Sequence, residues 1–170
     1  MKALDLIKSR VSCRNYDERK VSSKKALEVA EAGKFAPSAM NRQICNIYVI
    51  NSKKNVEKLR KLSLDVSNRD CMYGAKTVIL VAGPREDRFT YQDGSCILEN
   101  MFLAAHSLKL SSCWINQFED LFSSEKGLKV KKSLNIPDEQ LIVGACILGY
   151  AKDESSLKAK ERKEDFIKIL

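Results

Sequence analysis

The chain has 170 residues with 44% hydrophobic and 31% charged residues, a balance that excludes disordered, collagen-like and membrane chains and indicates one globular domain. At this length folding hides roughly 70% of the unfolded surface, which also excludes small scaffolds that depend on disulfides or metals. Lysine and arginine number 30 against 22 acidic residues, and the net charge of +8 favours an anionic partner: a phosphorylated ligand, nucleic acid or an acidic surface.

The first half of the chain predicts three helices and one strand. A short amphipathic helix is expected over residues 2–9, before a polar connector. Ser22 or Ser23 can cap a second helix that runs to about Phe35, since a proline two residues later ends helical backbone. Residues 46–50 are β-branched and aromatic in character and predict a strand. An exposed helix is expected after it, marked by the apolar residues Val56, Leu59 and Leu62.

The second half centres on one long helix. Residues 77–82 form a short apolar run closed by glycine and proline, which is typical of a strand buried on both faces. Apolar residues then occur nearly all round a helix over about 92–110, so this helix should be central and covered on most sides. The sequence further predicts a strand over 112–116, a helix over 124–134 and a strand over 140–150.

Residues 151–170 form a charged arm that ends in the apolar residues Phe166, Ile167, Ile169 and Leu170. Such an arm is either a solvated tail or a segment that docks on a partner subunit.

The elements alternate without a regular βαβ rhythm. The expected class is therefore α+β, with a mixed or antiparallel sheet around the central helix and one domain over residues 1–170. The sequence contains neither G-x-G-x-x-G nor G-x-x-x-x-G-K-[ST], which argues against glycine-rich phosphate cradles. A phosphate site would have to be built from side chains.

The six cysteines are scattered, without a C-x-x-C pair or a histidine at zinc-ligand spacing. They are expected to be free thiols, and no metal site is predicted. The N-terminal segment lacks the apolar stretch of a signal peptide, and no apolar run approaches the ~20 residues that span a bilayer. The expectation is a cytoplasmic protein with no membrane partner, in a compartment where unpaired thiols persist.

Basic residues are concentrated near the N-terminus, where residues 1–25 hold eight basic residues against three acidic ones. Arg10, Ser12 and Arg14 stand at alternating positions, and alternating side chains of an extended segment share one side. Two guanidinium groups and a hydroxyl could converge there on one phosphate. The alternative is a solvated charged surface, which is the ordinary role of a charge run.

A second polar cluster follows the second helix, in the sequence Ala-Pro-Ser-Ala-Met-Asn-Arg-Gln at residues 36–43. Its carboxamides and backbone groups can bond a heterocycle that has several carbonyl and imide edges. A capped turn is the alternative.

Taken in order, these and four later segments resemble the flavin-dependent nitroreductase family. The family's R-x-S-x-R-x-[FY] stretch corresponds to Arg10, Ser12, Arg14 and Tyr16. Its A-P-S-x-x-N-x-Q stretch corresponds to Ala36, Pro37, Ser38, Asn41 and Gln43. The later matches are Gly74, Ala75, Ile79 and Val81; Asp93 in the central helix; Cys113, Trp114 and Ile115; and Ile136, Pro137, Gly144, Leu148, Gly149 and Tyr150.

The resemblance implies a homodimer that binds FMN at the subunit interface. Arg10, Ser12 and Arg14 would hold the phosphate and ribityl end, and Lys160 or Arg162 from the arm would complete the phosphate clamp. The arm would thereby reach the partner subunit.

Two further sets of residues would surround the flavin ring. The flavin would be lined from the other subunit by Pro37, Ser38 and Ala39. Asn41 and Gln43 would lie near the ring or ribityl chain. The N5 side of the ring would be passed by a segment that includes Trp114, Ile115 and Asn116. Backbone amides there can stabilise the charge that the ring gains on reduction.

The implied activity is hydride transfer from NADH or NADPH to flavin N5 and then to a small acceptor, such as a nitro compound or quinone, in a ping-pong cycle. No catalytic side chain is required. The chain departs from the family at Ile44 and Cys45, where Pro-Trp is common, and at Asn116 and Gln117, where glycine is frequent. Neither departure touches the phosphate side, so the resemblance supports FMN binding more strongly than it supports any particular substrate.

Two alternatives stay open. One is a flavin enzyme of the same fold with another reaction, of the dehalogenase, flavin-cleaving or azoline oxidase type. The other is a non-enzymatic basic nucleic-acid binder, which the sequence disfavours because the basic cluster contains no interleaved aromatic stacking platform.

Overall fold

The structure is a computed structural model that describes residues 2–169. A four-stranded sheet lies at its centre, in the order β1-β2-β4-β3. Every neighbouring pair is antiparallel. The strands are β1 (Asn46–Ile50), β2 (Thr77–Pro84), β3 (Ser111–Ile115) and β4 (Gln140–Gly149). The α+β class is confirmed, and of the two sheet types expected the antiparallel one is found.

Within the described residues six α-helices flank the sheet: α1 (Ala3–Ser9), α2 (Ser23–Gly33), α3 (Lys53–Ser67), α4 (Thr90–Ser107), α5 (Phe118–Ser123) and α6 (Glu125–Ser133). Short 3-10 turns lie at Ala39–Asn41, Glu154–Ser156 and Glu164–Phe166. The side chain of Ser22 caps α2, accepting from the Lys25 amide at 3.3 Å. The sequence did not predict α5, because six residues are too few to show a helical period.

Most predicted boundaries differ from the structure by one to three residues, and two of them show why. The strand expected to close before Gly83 continues through Pro84, which pairs with Gln140 at the end of the β2–β4 ladder. A proline is tolerated there because the ladder continues through the Arg85 amide, which donates to the Glu139 carbonyl at 3.0 Å. The long helix ends at Ser107, three residues early, and Lys109 has left-handed backbone.

Apolar residues pack on both faces of the sheet. Helices α3, α5 and α6 cover one face, and α2 and α4 cover the other. β2 and β4 are buried along almost their whole length, as expected for strands enclosed on both sides. Two glycines of β4 admit aromatic rings: a Cβ at Gly144 would lie 2.7 Å from Trp114, and one at Gly149 would lie 2.5 Å from Tyr16.

The long helix α4 is buried along the face that meets the sheet, through Leu98, Met101, Phe102 and Ala105. Its remaining apolar residues are half-exposed in the single chain: Ile97, Leu103, Ala104 and Leu108. The sequence led us to expect cover on most sides; the sheet, α2 and α1 of this chain cover α4, and these four residues stay partly exposed.

The connector between α1 and α2 is held as an extended segment beside the sheet. Ser12 pairs with Ser112 of β3 in a parallel bridge, and Tyr16 pairs with Ala151 in an antiparallel one. The Cys13 amide donates to the Ser112 carbonyl at 2.9 Å. The first residues of the charged arm thus lie against the N-terminal segment.

Beyond residue 151 the arm is largely exposed. Phe166, Ile167 and Ile169 are 82%, 80% and 96% exposed, and Leu170 lies outside the described residues. All six cysteines are free thiols. Within residues 2–169 no helix is long and apolar enough to cross a membrane. Those residues also bring together no group of three histidine, cysteine or carboxylate side chains suited to a metal ion.

Candidate functional site

A small pocket forms where the two ends of the chain meet. Its volume is about 290 Å³, and it is lined by Arg10, Val11, Ser12, Arg14, Leu157, Lys158, Lys160 and Arg162. We call it the basic pocket, because five of these eight residues are cationic and none is acidic. The structure therefore brings together all five residues in which the sequence predicted a phosphate clamp.

The pocket is built from two non-helical segments whose polar lining residues stand at every second position. Bridging to β3 holds the first segment extended, so that Ser12 and Arg14 face the pocket and Cys13 turns into the core. In the arm, Lys158, Lys160 and Arg162 repeat the same spacing. Sequence reasoning missed Lys158, although this period of two in the basic residues of the arm was the signal that could have found it.

The donor set of the basic pocket suits a phosphate. Guanidinium groups offer planar pairs of N–H donors, ammonium groups add point charges, and the Ser12 hydroxyl can donate a further bond. Cations crowded in one place repel one another, so an anion with several oxygens stabilises the cluster. One of these cations, Arg10, also forms an ion pair outside the lining: its Nε lies 3.9 Å from Glu99 Oε1.

A larger groove of about 600 Å³ lies between α2, β1 and α4. Its walls are mostly apolar, with Pro37, Ser38 and Gln43 at the end nearest the loop over residues 36–45. These three predicted flavin-lining residues belong to the groove, whereas the predicted phosphate residues belong to the basic pocket. Within one chain the two sets line separate cavities.

The tip of this loop is held by side chains. Asp93 Oδ1 accepts from the Ala39 amide at 3.0 Å, and Ser38 Oγ accepts from the Gln43 amide at 3.1 Å. Gln43 Nε2 donates to Asn41 Oδ1 at 3.0 Å. Asn41 and Gln43 have left-handed backbone, with φ of 52° and 51°. The loop therefore presents its amide groups in a fixed arrangement.

Asp93 is buried in the first turn of α4, with 5% of its surface exposed. Among the described residues its Oδ2 atom has no hydrogen-bond partner, and the side chain contributes to the groove. The single bond to the Ala39 amide is thus what ties this carboxylate to the loop.

A second tie lies at Arg42, whose Nη1 and Nη2 donate to the two carboxylate oxygens of Asp87 at 2.7 and 3.0 Å. The bonds from Arg42 hold the pKa of Asp87 below its usual value, and the same pair raises the pKa of Arg42. The guanidinium also lies 5.6 Å from the centre of the Phe89 ring. Two contacts from the segment before α4 therefore restrain the loop.

Cys45 lines the groove close to where an aromatic wall is common in the resembled family. Burial, together with the charge of Asp93, raises the pKa of its thiol to about 11. At neutral pH the thiol is protonated and acts as a small apolar wall rather than as a nucleophile.

The predicted residues at the end of β3 lie apart from both cavities. Trp114 packs over Gly144 and against Phe102, with ring centroids 6.0 Å apart. Ile115 is buried in the core, and Asn116 is exposed just beyond the strand. Their side chains line neither the basic pocket nor the groove.

Comparison with known proteins identifies the family. The model of the nitroreductase family matches residues 7–70 and 63–150. The chain belongs to the nitroreductase family. A relative from Archaeoglobus fulgidus, which carries the provisional name NADH dehydrogenase/NAD(P)H nitroreductase, is 31% identical over 157 residues, covering 89% of this chain and 86% of the relative.

Solved nitroreductases share the whole fold. A nitroreductase with bound FMN from Bacteroides fragilis is 29% identical and superposes with a TM-score of 0.91, covering 100% of this chain and 99% of the other. A second nitroreductase with bound FMN, from Desulfitobacterium hafniense, shares the fold with a TM-score of 0.88 at 23% identity, over 98% and 97% of the two chains.

The tie between Asp93 and the loop can be tested. Asp93→Leu removes the acceptor of the Ala39 amide, and leaving a buried donor unsatisfied costs about 1–3 kcal/mol. We expect the Ala39 amide to lose its protection in hydrogen exchange measured by NMR. Asp93→Asn keeps an acceptor oxygen and should preserve most of the protection; equal loss in both variants would assign the effect to the charge instead.

Proposed function

We propose that this protein carries reducing equivalents from NADH or NADPH through FMN to a small acceptor of the nitro-compound or quinone type, in a ping-pong cycle. Membership of the nitroreductase family makes it an FMN-dependent oxidoreductase, and relatives of this fold are solved with bound FMN. The observation that carries the proposal is the basic pocket, in which five cations from the two ends of the chain converge.

The residues of the basic pocket fit the phosphate of FMN. In this proposal Arg10 and Arg14 grip its oxygens with Ser12, and Lys160 and Arg162 close over them from the arm. Lys158 adds a fifth positive charge. The pocket volume of about 290 Å³ suits a phosphate with the start of the ribityl chain rather than a whole flavin. The ring would then extend out of the pocket.

The ring would be lined by the loop of residues 36–43 of a second copy. Pro37 and Ser38 supply a flat wall, while the fixed amides of Asn41 and Gln43 supply polar contacts at the ring or ribityl chain. Backbone amides after Trp114 would face the ring edge. When bound, FMN supplies the redox chemistry, taking a hydride at N5 and passing it on. The chain supplies binding and orientation, and no side chain is assigned as a catalytic acid or base.

The proposed assembly is a homodimer whose arms exchange. Apolar residues on the outer side of α4 are half-exposed, and Phe35 and Met40 are 76% and 77% exposed near the groove. The arm ends in exposed Phe166, Ile167 and Ile169, while the edge strand β1 borders the apolar groove. A partner's arm laid along this edge would cover both apolar surfaces.

The proposed function predicts a yellow protein whose flavin is bleached anaerobically by a nicotinamide. We expect the purified protein to show the visible spectrum of FMN and to lose it within seconds of adding NADH or NADPH, with recovery on adding menadione or nitrofurazone. Stopped-flow reduction with each nicotinamide separates this enzyme from flavin enzymes of the same fold with other reactions. A protein that takes up no FMN would contradict the proposal.

The phosphate clamp predicts unequal effects of two neighbouring arginines. Arg14→Ala removes a charge-assisted donor worth about 1.5–3 kcal/mol and should weaken FMN binding by roughly 10–100-fold in a fluorescence titration. Arg19→Ala is the matched control, because Arg19 bonds Asp17 at 2.6 Å and stacks on Tyr150 instead. Equal weakening in both variants would show that general charge holds the cofactor.

The arm exchange predicts that its apolar end sets the oligomeric state. Removing residues 163–170 keeps Lys160 and Arg162 but should lower the mass measured by light scattering towards that of one chain, 19.2 kDa. The control Lys163→Ala/Glu164→Ala alters charges of the arm and keeps its apolar residues, so it should stay dimeric. A truncated protein that remains dimeric at micromolar concentration would refute the exchange.

A further inference from the structure

Helix α1 leads directly into the basic pocket but has little packing of its own. It contains no buried residue, and its apolar side chains Leu4 and Ile7 are 67% and 51% exposed. Its last residue is Ser9 and its C-cap is Arg10, a lining residue of the basic pocket. The direction in which Arg10 leaves the helix therefore depends on what holds this end.

Two polar contacts from α4 hold it. Ser9 Oγ lies 2.8 Å from His106 Nε2, and Arg10 Nε lies 3.9 Å from Glu99 Oε1. Glu99 and His106 are seven residues apart, which is two helical turns, so they stand on one face of α4. One face of α4 thus contacts two consecutive residues at the C-terminal end of α1.

The Ser9 contact has a defined direction. The hydroxyl donates to the Asp5 carbonyl at 2.7 Å, and so its oxygen is left to accept from His106 Nε2–H. Burial and the charge of Arg10 lower the pKa of His106, which favours the neutral ring, and the bond to Ser9 then places the ring proton on Nε2. The imidazole therefore acts as a fixed donor to the end of α1.

The Arg10 contact orients a planar group. A carboxylate on the Nε side of a guanidinium turns the two terminal nitrogens in the opposite direction, where they can bind an anion as a pair. The Arg10 side chain is 21% exposed and that of Glu99 is 52% exposed, so the pair lies at the rim of the pocket.

We propose that Glu99 and His106 are positioning residues that hold Arg10 in the orientation that binds phosphate. The inference rests on the proposed function, in which the basic pocket takes the phosphate of FMN. A simple charge effect and a positioning effect predict opposite changes in binding. Glu99 is an anion beside an anion site, so a charge effect predicts that its removal tightens binding. Positioning predicts that its removal weakens binding.

The first experiment uses that difference of sign. FMN binding is titrated by fluorescence at fixed ionic strength for Glu99→Ala and Glu99→Gln. We expect Glu99→Ala to bind roughly 10-fold more weakly and Glu99→Gln about 3-fold, since the amide oxygen still places partial negative charge beside Arg10. Glu125→Gln is the matched control, because Glu125 pairs with Lys129 on α6 at 2.7 Å. Tighter binding in both Glu99 variants would overturn the proposal.

A second arm tests His106 and the route through Arg10. His106→Leu should weaken FMN binding about 5-fold, and His106→Gln should restore it by returning an N–H donor. In an Arg10→Ala background the Glu99→Ala effect should fall below about 2-fold, whereas additive losses would overturn the proposal. Riboflavin, which lacks the phosphate, should bind all variants alike.

Inorganic phosphate, followed by ³¹P NMR line broadening, separates this inference from the proposed function. If phosphate affinity follows the same order of variants while FMN fails to bind the wild-type protein, the positioning role holds and the proposed function falls. If FMN and phosphate bind every Glu99 and His106 variant as they bind the wild type, the positioning role falls and the proposed function stands.

Discussion

The pairing of residues 12–16 with the sheet is the constraint on which the site depends. Backbone amides and carbonyls beside a sheet must find partners, and this segment finds them at Ser112 on one side and Ala151 on the other. Because the segment is extended, Cys13 is buried while Ser12 and Arg14 face outward. The second bridge fixes the start of the arm, so both ends of the chain reach the same pocket.

Charge makes that meeting point a candidate anion site rather than an ordinary surface. Lys131 shows how the fold treats a lone buried cation: its ammonium donates to the Asp138 and Gln140 carbonyls, and burial lowers its pKa. The basic pocket instead gathers five cations without an acidic lining residue. The five positive charges repel one another. A bound polyanion relieves that repulsion, which adds to the affinity of the pocket for the anion.

Much of the fold followed from local patterns. The period of the apolar residues predicted the strands and the longer helices, and Ser22 signalled the start of α2 through its capping hydroxyl. The helix α5 was not predicted, because its six residues are too few to show a helical period. The pairing of the connector around Ser12 was not predicted either, since its polar residues resemble those of a loop and its two partners lie 100 and 135 residues away in sequence.

The sequence by itself determined the class of fold and the family pattern, and its resemblance to that family supplied the residues proposed for the clamp. Alternation predicted only that Arg10, Ser12 and Arg14 share one side of an extended segment. Tertiary structure alone decided that Lys158 joins Arg14 in one pocket, that Pro37 and Ser38 line another cavity, and that Trp114 packs against Phe102. Those outcomes depend on which distant segments pair across the sheet, and local pattern carries no record of distant partners.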